Sequence, residues 1–242
     1  MKFTLLHLFP EAMSLYGEYA NLTLLSRLLT AQGAEVTVKT VGFDEAPDFT
    51  GADLIYMGAG TEGTQKAAMA RLLPHKDALR AAAENGALVL FTGSAMETLG
   101  ASITDQTGKV HEGLHLADFT TVETGKRTPH DVIAQPLLWA EPAVGFMNKC
   151  STTKGIDSPL FSALPLGFGN EVKGGAEGYQ AGNLLATHLT GPVLVKNPDF
   201  TDLVIRRLFF AKSWPLPEKL PVLPHEREAY AVTLRELQAR LK

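Results

Sequence analysis

Four runs of apolar residues in the first hundred positions have the length of β-strands. They lie at Lys2–Leu8, Glu35–Val41, Asp53–Met57 and Ala87–Phe91. The second run alternates apolar and polar residues, which is typical of a strand near the edge of a sheet. The last run is apolar throughout and predicts a central strand that is buried on both faces.

Helical patterns separate these runs. Leucines at helical spacing predict a first helix that is capped by Asn21 and ends at Gly33. A second helical stretch extends from residue 62 to residue 84, and Pro74 interrupts it. Because strands and helices alternate, we expect an α/β fold with an open, mostly parallel sheet and helices on both faces.

After residue 100 the pattern changes to short strand-like runs separated by turns rich in Gly, Asp and Pro. These runs lie at Lys109–Phe119, Thr120–Lys126, Asp131–Ala134, Ala143–Asn148 and Asn183–His188. One further long helix is predicted at Pro198–Trp214. We therefore expect one α/β domain over residues 1–214.

The C-terminal part of the chain has a different character. Four prolines between residues 215 and 224 predict a stiff, extended linker. Beyond it, residues 225–242 predict a helix with a narrow apolar stripe. The stripe consists of Tyr230, Leu234, Leu237 and Leu241. Such a helix is suited either to packing on its own domain or to docking on a partner.

Composition narrows the classes of function. The 242 residues are 45% hydrophobic and 20% charged, as in soluble globular proteins. A net charge of −4 without a basic stripe argues against nucleic acid as the main partner. The single cysteine, Cys150, excludes an internal disulfide and disfavours a zinc–thiolate site, and we expect no cofactor. Since no apolar run approaches the about 20 residues that span a bilayer, we expect a cytoplasmic protein.

Small residues follow the predicted central strand at once, from Thr92 to Ala95. Enzymes of the α/β class present a nucleophile on a tight turn of this kind, and Ser94 is the candidate here. An ordinary strand–helix turn needs glycine for the same geometry. The same alternatives apply to Gly58 and Gly60, whose backbone amides follow another strand and could bind an oxyanion or form a plain turn.

His188 is the best candidate for a general base among the seven histidines. It follows a strand-like run and could face the same end of the sheet as Ser94, although a histidine packed in the core fits the same position. Cys150 is a second candidate nucleophile because Lys149 beside it could lower the pKa of the thiol. A lone cysteine that is inert would look the same in the sequence.

Five separated stretches carry a family resemblance. They read LFPEAMSLYGE at 8–18, GAGTEGTQ at 58–65, EGLHLADF at 112–119, GFMN at 145–148 and GPVLVKNP at 191–198. Together they resemble the CobB/CobQ-like class I glutamine amidotransferases, most closely the glutaminase-type subunit of lipid II isoglutaminyl synthase. The resemblance covers about residues 6–210. It implies a flavodoxin-like three-layer fold, and a Mur-ligase-like or other ATP-dependent synthetase subunit as the partner.

The chain departs from the family pattern at its reactive positions. When the family turn Cys-Gly-Gly-Tyr-Gln-x-Leu-Gly is anchored on its Leu-Gly, Gly93 falls at the cysteine position and Glu97 at the glutamine position. A slip of one residue would place Ser94 at the cysteine position instead. The histidine of the family's His-Gly-Pro falls on Thr190, although His188 lies two residues earlier.

A third motif of the family has also changed. Residues 145–152 read GFMNKCST where the family has Gly-Phe-Glu-Asn-His-Gly-Gly-Arg. The histidine of that motif and the arginine that would meet the carboxylate of the substrate are therefore missing. By resemblance, the candidates for substrate contacts are Gly58, Gly60, Glu97, Asn148 and Cys150.

Two interpretations follow from these departures. In the first, the chain is an amidotransferase-like subunit without glutaminase activity that binds a partner or a small ligand such as glutamine, in cell-wall precursor or cobyric-acid-type amidation. Loss of the nucleophile or base costs about 10⁴–10⁶ in rate in comparable triads. In the second, the chain is an active amidotransferase or amidohydrolase that pairs Ser94 or Cys150 with His188. The second interpretation requires about 3–4 Å between the nucleophile and His188.

Overall fold

The computed structural model describes residues 1–216 and 225–241. Eleven strands lie within these residues: β1 (Lys2–Leu8), β2 (Glu35–Val41), β3 (Leu54–Met57), β4 (Leu88–Thr92), β5 (Ser102–Thr104), β6 (Val110–Glu112), β7 (Thr120–Pro136), β8 (Ala143–Lys154), β9 (Phe161–Leu166), β10 (Tyr179–Ala181) and β11 (Leu184–Thr187). The α-helices are α1 (Tyr19–Ala31), α2 (Glu62–Leu72), α3 (Lys76–Glu84), α4 (Val193–Lys196), α5 (Pro198–Ala211) and α6 (Glu226–Gln238).

The main sheet has six strands in the order β10-β11-β4-β3-β1-β2. Its five strands from β11 to β2 run parallel, and β10 adds an antiparallel edge. Strand β4 lies in the middle and all five of its residues are buried, as the continuous apolar run predicts. Strand β2 lies at the edge, as its alternating pattern predicts. The expected open, mostly parallel sheet is thus confirmed.

Helices cover both faces of the main sheet. Successive residues of the strands, such as Leu5 and Leu6, belong to different apolar clusters because neighbouring side chains of a strand point to opposite faces. One cluster contains the apolar faces of α1 and α5, and the other those of α2 and α3. A short 3₁₀ turn at Leu73–His75 separates α2 from α3, where Pro74 removes a helical amide donor.

The second half of the chain forms a further sheet that the short runs did not predict. Its strands follow the order β6-β5-β7-β8, and β9 pairs with the C-terminal end of β7. Two runs predicted separately, at 120–126 and 131–134, belong to the single strand β7, which has an irregularity between Glu123 and Thr128. The run predicted at Lys109–Phe119 yields only the three residues of β6.

Asn21 has a different role from the predicted helix cap. Helix α1 begins at Tyr19, and Asn21 lies buried in its first turn. Its amide nitrogen donates to the Tyr56 hydroxyl at 2.8 Å, and its amide oxygen accepts from the Leu194 backbone at 2.9 Å. Asn21 therefore links α1 to β3 and α4, because a buried amide is stable only when its polar atoms have partners.

The C-terminal helix α6 packs on its own domain. Leu237 is 5% exposed and forms a small apolar cluster with Ile133 and Val144. The Tyr230 hydroxyl donates to the Pro142 carbonyl at 2.6 Å. The predicted linker lies mostly outside the described residues, since only 215 and 216 of it are described. Among the helices of the described residues, none is long and apolar enough to cross a membrane.

Candidate functional site

A cavity of about 210 Å³ opens at the carboxyl ends of three neighbouring strands of the main sheet. The residues that follow β3, β4 and β11 line one side of it, and residues of β8 line the other. In open α/β sheets this edge is where ligands bind, because the loops after parallel strands diverge there. The structure brings together at this cavity most of the residues that the sequence singled out: Gly60, Gly93, Ser94, Glu97, Asn148, Cys150, His188 and Thr190.

Gly93 makes the sharp turn at the end of β4. Its φ of +59° lies in the left-handed region, which glycine adopts without steric cost. A 3₁₀ helix follows over Gly93–Leu99, where the sequence suggested the start of an ordinary helix. The backbone therefore has a sharp strand-to-helix turn like that on which a nucleophile is presented, but the residue at the turn has no side chain.

Ser94 is held by the glycine turn after β3. Its hydroxyl donates to the carbonyl oxygen of Gly60 and accepts from the amide of the same residue, both at 2.9 Å. The Gly60 amide, which the sequence suggested for oxyanion binding, is thus occupied by a side chain of the protein. Neighbouring Gly58 allows the N-terminal loop to pack closely, because a Cβ there would lie 2.8 Å from the Met13 carbonyl oxygen.

His188 lies between two buried glutamates. Its Nδ1 is 2.9 Å from a carboxylate oxygen of Glu177, which also accepts from the His188 backbone amide. Its Nε2 lies 3.3 Å from Glu97 but makes no hydrogen bond of standard geometry. Burial and nearby Lys149 lower the pKa of His188, but the interactions with Glu177 and Glu97 outweigh them and raise it above its ordinary value. Both ring nitrogens therefore face carboxylates, and neither is bonded to Ser94 or Cys150.

Glu97 is buried against the inner wall of the cavity. One of its oxygens accepts from Gln65 at 2.6 Å, and the other accepts from the Ser151 hydroxyl. Burial alone would raise the pKa of Glu97, but its interactions with His188, Ser151 and Gln65 outweigh this and lower it. Glu97 is thus a satisfied carboxylate that is directed at His188.

Thr190 belongs to a separate buried network. Its hydroxyl donates to Glu18 at 2.6 Å, and the Gly191 amide donates to the same oxygen at 2.8 Å. The other oxygen of Glu18 accepts from the hydroxyls of Tyr56 and Thr92. Four donors therefore satisfy a carboxylate that is 0% exposed, and Thr190 serves as one of them.

The structure corrects the expectation for Cys150. Burial and the Glu62 carboxylate, which accepts from the thiol at 3.2 Å, raise the pKa of Cys150 to about 12. Lys149 does not activate it, since its ammonium donates to the carbonyls of residues 169 and 170. Asn148, another of the predicted substrate contacts, lies at the mouth of the cavity. Its side-chain amide donates to the Tyr16 hydroxyl at 2.8 Å.

Three polar residues of these networks were missed as single residues by the sequence reasoning. Glu18 and Gln65 are the last residues of two of the quoted motifs, but the motifs assigned neither residue a function. Glu177 lies in a glycine-rich loop whose pattern indicates only a turn. Groups of three or more residues able to hold a metal ion are absent from the part of the chain that the structure describes.

A profile of a known protein family matches most of this chain. The profile of the CobB/CobQ-like glutamine amidotransferase domain matches residues 4–198. The chain belongs to this family. The resemblance drawn from the five motifs is thereby confirmed, while the assignment of Gly93 and Thr190 to the family's reactive positions stays a prediction.

Two relatives are subunits of glutamine-hydrolysing lipid II isoglutaminyl synthases. The GatD subunit of lipid II isoglutaminyl synthase from Staphylococcus aureus (strain N315) is 27% identical over 216 residues, which cover 89% of this chain and 88% of the relative. The corresponding subunit from Streptococcus pneumoniae (strain ATCC BAA-255 / R6) is 26% identical over 193 residues, which cover 79% and 74%. A crystal structure of a glutamine amidotransferase shares the fold, with a TM-score of 0.54 at 12% identity over 84% of this chain and 98% of that one.

Proposed function

We propose that this chain is a glutamine amidotransferase-like subunit of a lipid II amidation complex that has lost glutamine hydrolysis and binds a Mur-ligase-like synthetase. The names of its two relatives support the type of complex, since both are subunits of lipid II isoglutaminyl synthases. The loss of hydrolysis is carried by one observation. The turn that would present a nucleophile carries Gly93, with no side chain to attack an amide.

The other candidates for catalysis are engaged in different contacts. A serine or cysteine nucleophile needs a base within about 2.6–3.2 Å. The Ser94 hydroxyl is bonded to Gly60 on both sides, and the Cys150 thiol donates to Glu62. The Nδ1 of His188 is held by Glu177 and its Nε2 faces Glu97, so neither ring nitrogen is placed to take a proton from Ser94 or Cys150. This arrangement disfavours the rearranged active site.

The mouth of the cavity offers a surface for the synthetase. Leu15 and Tyr16 line the cavity and are 39% and 46% exposed, and Tyr19, which follows them in the chain at the start of α1, is 62% exposed. Large exposed apolar side chains that are clustered beside a cavity are typical of binding surfaces. Tyr16 also has a φ of +62°, a conformation that is uncommon for a bulky residue and is found at functional sites.

Complex formation tests the binding part of this proposal. The full chain is co-expressed with the Mur-ligase-like synthetase of the same organism, and the complex is measured by size-exclusion chromatography with light scattering. We expect a stable complex that Tyr19→Asp weakens at least about tenfold, since interface aromatics often contribute 2 kcal/mol or more. Phe210→Asp is the matched control, since Phe210 is an aromatic residue of α5 that is 81% exposed. It lies in a groove with Gly86 and Asn183 at the amino ends of β4 and β11, whereas the cavity lies at their carboxyl ends.

Glutamine hydrolysis tests the catalytic part. Ammonia release from glutamine is measured for the complex, with a cysteine-containing glutamine amidotransferase in parallel. We expect no release above the rate of the synthetase alone. Release that disappears in Ser94→Ala or Cys150→Ser would favour the active enzyme instead. If Tyr19→Asp binds the synthetase as tightly as the natural chain and the Phe210→Asp control do, the proposed surface is refuted.

A further inference from the structure

Ala59 and Gly93 face each other across the ends of two neighbouring parallel strands. The register of β3 and β4 pairs Met57 with Phe91, and two residues further along each strand stand Ala59 and Gly93. Because Gly93 has a φ of +59°, its Cβ direction turns towards β3. A Cβ placed on Gly93 would lie 2.5 Å from the Cβ of Ala59 and 3.1 Å from its Cα. Real side chains do not approach below about 3.0 Å, so one of the two positions has to be small.

Neither backbone segment is free to move apart. Ala59 is 3% exposed, and its carbonyl accepts from the Leu15 amide at 2.9 Å. The two glycines beside it pack against the N-terminal loop at Met13. On the other side, the Gly93 amide donates to the Leu189 carbonyl at 3.3 Å. A shift large enough to admit a methyl group would therefore break contacts on both strands.

We propose that Ala59 is a second determinant of the missing nucleophile: its methyl group fills the place where a side chain at position 93 begins. This inference rests on the proposed loss of hydrolysis and adds the reason why one substitution does not reverse it. Gly93→Cys alone overpacks the turn and displaces the thiol, whereas Ala59→Gly makes room for it. Ala59 acts here as a positioning residue, since it touches neither substrate nor reacting atoms.

The stability arm of the test separates backbone strain from steric overlap. Gly93→Ala is compared with Gly51→Ala, because Gly51 has a similar φ of +70° but no atom within 4 Å of its Cβ position. Both changes carry the strain of a left-handed alanine, and only Gly93→Ala adds the overlap with Ala59. By urea unfolding, we expect Gly93→Ala to shift the unfolding equilibrium about 5- to 100-fold further than Gly51→Ala. In an Ala59→Gly background this excess should disappear.

The labelling arm reads the position of the side chain directly. In a Cys150→Ser background, a cysteine at 93 is the single thiol, and iodoacetamide forms an S–C bond with it while iodide leaves and the thiol proton goes to solvent. Labelling of the folded protein is followed by intact mass. We expect Ala59→Gly/Gly93→Cys to be labelled at least about tenfold faster, relative to its own unfolded chain, than Gly93→Cys alone.

Each outcome decides the proposal. If Gly93→Ala costs no more than Gly51→Ala, or if Ala59→Gly leaves the excess unchanged, Ala59 is not the determinant. If Gly93→Ala fails to fold but Ala59→Gly/Gly93→Ala folds, the proposal is supported, and if neither folds it is overturned. None of these results depends on glutamine. The proposed function would be refuted by a different result, which is ammonia release by the natural chain.

Discussion

Glu177→Gln probes whether His188 is held as an imidazolium ion. Glu177 is 0% exposed and accepts from the backbone amide and Nδ1 of His188 and, through its other oxygen, from the Thr187 hydroxyl at 2.7 Å. Glutamine keeps the shape and one acceptor oxygen for His188. Its amide nitrogen would face Thr187, whose hydroxyl is able to accept. The substitution therefore removes the negative charge and few of the contacts.

The size of the effect depends on pH in a direction that the structure fixes. Because the pKa of His188 is raised in the folded state, its charge stabilises the fold fully below the unfolded value of about 6.5. That contribution is lost as the pH rises through the folded pKa. Each pH unit between the two pKa values corresponds to about 1.4 kcal/mol. Glu177→Gln removes the main stabilising partner of the charge, so its cost in the free energy of unfolding is larger at pH 6 than at pH 9.

Urea unfolding at both pH values measures this difference. We expect Glu177→Gln to cost about 2–4 kcal/mol at pH 6 and about 1 kcal/mol at pH 9, on the scale of a broken buried ion pair and a weakened hydrogen bond. Glu171→Gln is the matched control, since Glu171 is an exposed glutamate of the same loop. A cost of only about 1 kcal/mol at both pH values would show that His188 is neutral in the folded protein and would contradict the raised pKa.

Three further predictions concern other parts of the site and the C-terminal helix. Ser94→Ala should lower the free energy of unfolding by about 1 kcal/mol, because the hydrogen bonds of its hydroxyl to Gly60 are lost. Unchanged stability would contradict the role of Ser94 in holding the glycine turn. At pH 8.5, iodoacetamide should label Cys150 in the folded protein at least about 100-fold more slowly than in the unfolded chain. Glu62→Gln should reduce this difference in labelling rate. Equal rates in the folded and unfolded chain would contradict the pKa of about 12. Truncation after Trp214 should lower the free energy of unfolding by about 2–4 kcal/mol, because it exposes Ile133 and Val144, which pack against Leu237. Unchanged stability would show that α6 is not anchored on the domain.

The main sheet could be predicted because its strands are apolar runs with local signals. Strands β1 and β2 have the predicted bounds, and β4 is central and buried as its continuous pattern indicates. The second sheet could not be predicted in the same way. Strand β7 is interrupted by exposed residues, among them Lys126 and Arg127, which break the alternation on which a strand prediction depends.

The site was predictable in its place but not in its contacts. The sequence placed Ser94 and His188 at one end of the sheet, and both line the cavity. It could not show that Glu177, from a glycine-rich loop, binds His188, since the two meet only through the antiparallel pairing of β10 and β11. Similarly, Lys149 precedes Cys150 in the chain, but its ammonium is bound to the carbonyls of another loop.

The central claim, that no activated nucleophile remains in the cavity, is tested most directly by intact mass after incubation with an electrophilic glutamine analogue. The natural chain is treated in complex with its synthetase, and a cysteine-containing glutamine amidotransferase is treated in parallel. We predict that the control gains one adduct while the mass of this chain stays unchanged. An adduct that peptide mapping places on Ser94 or Cys150 would contradict the claim.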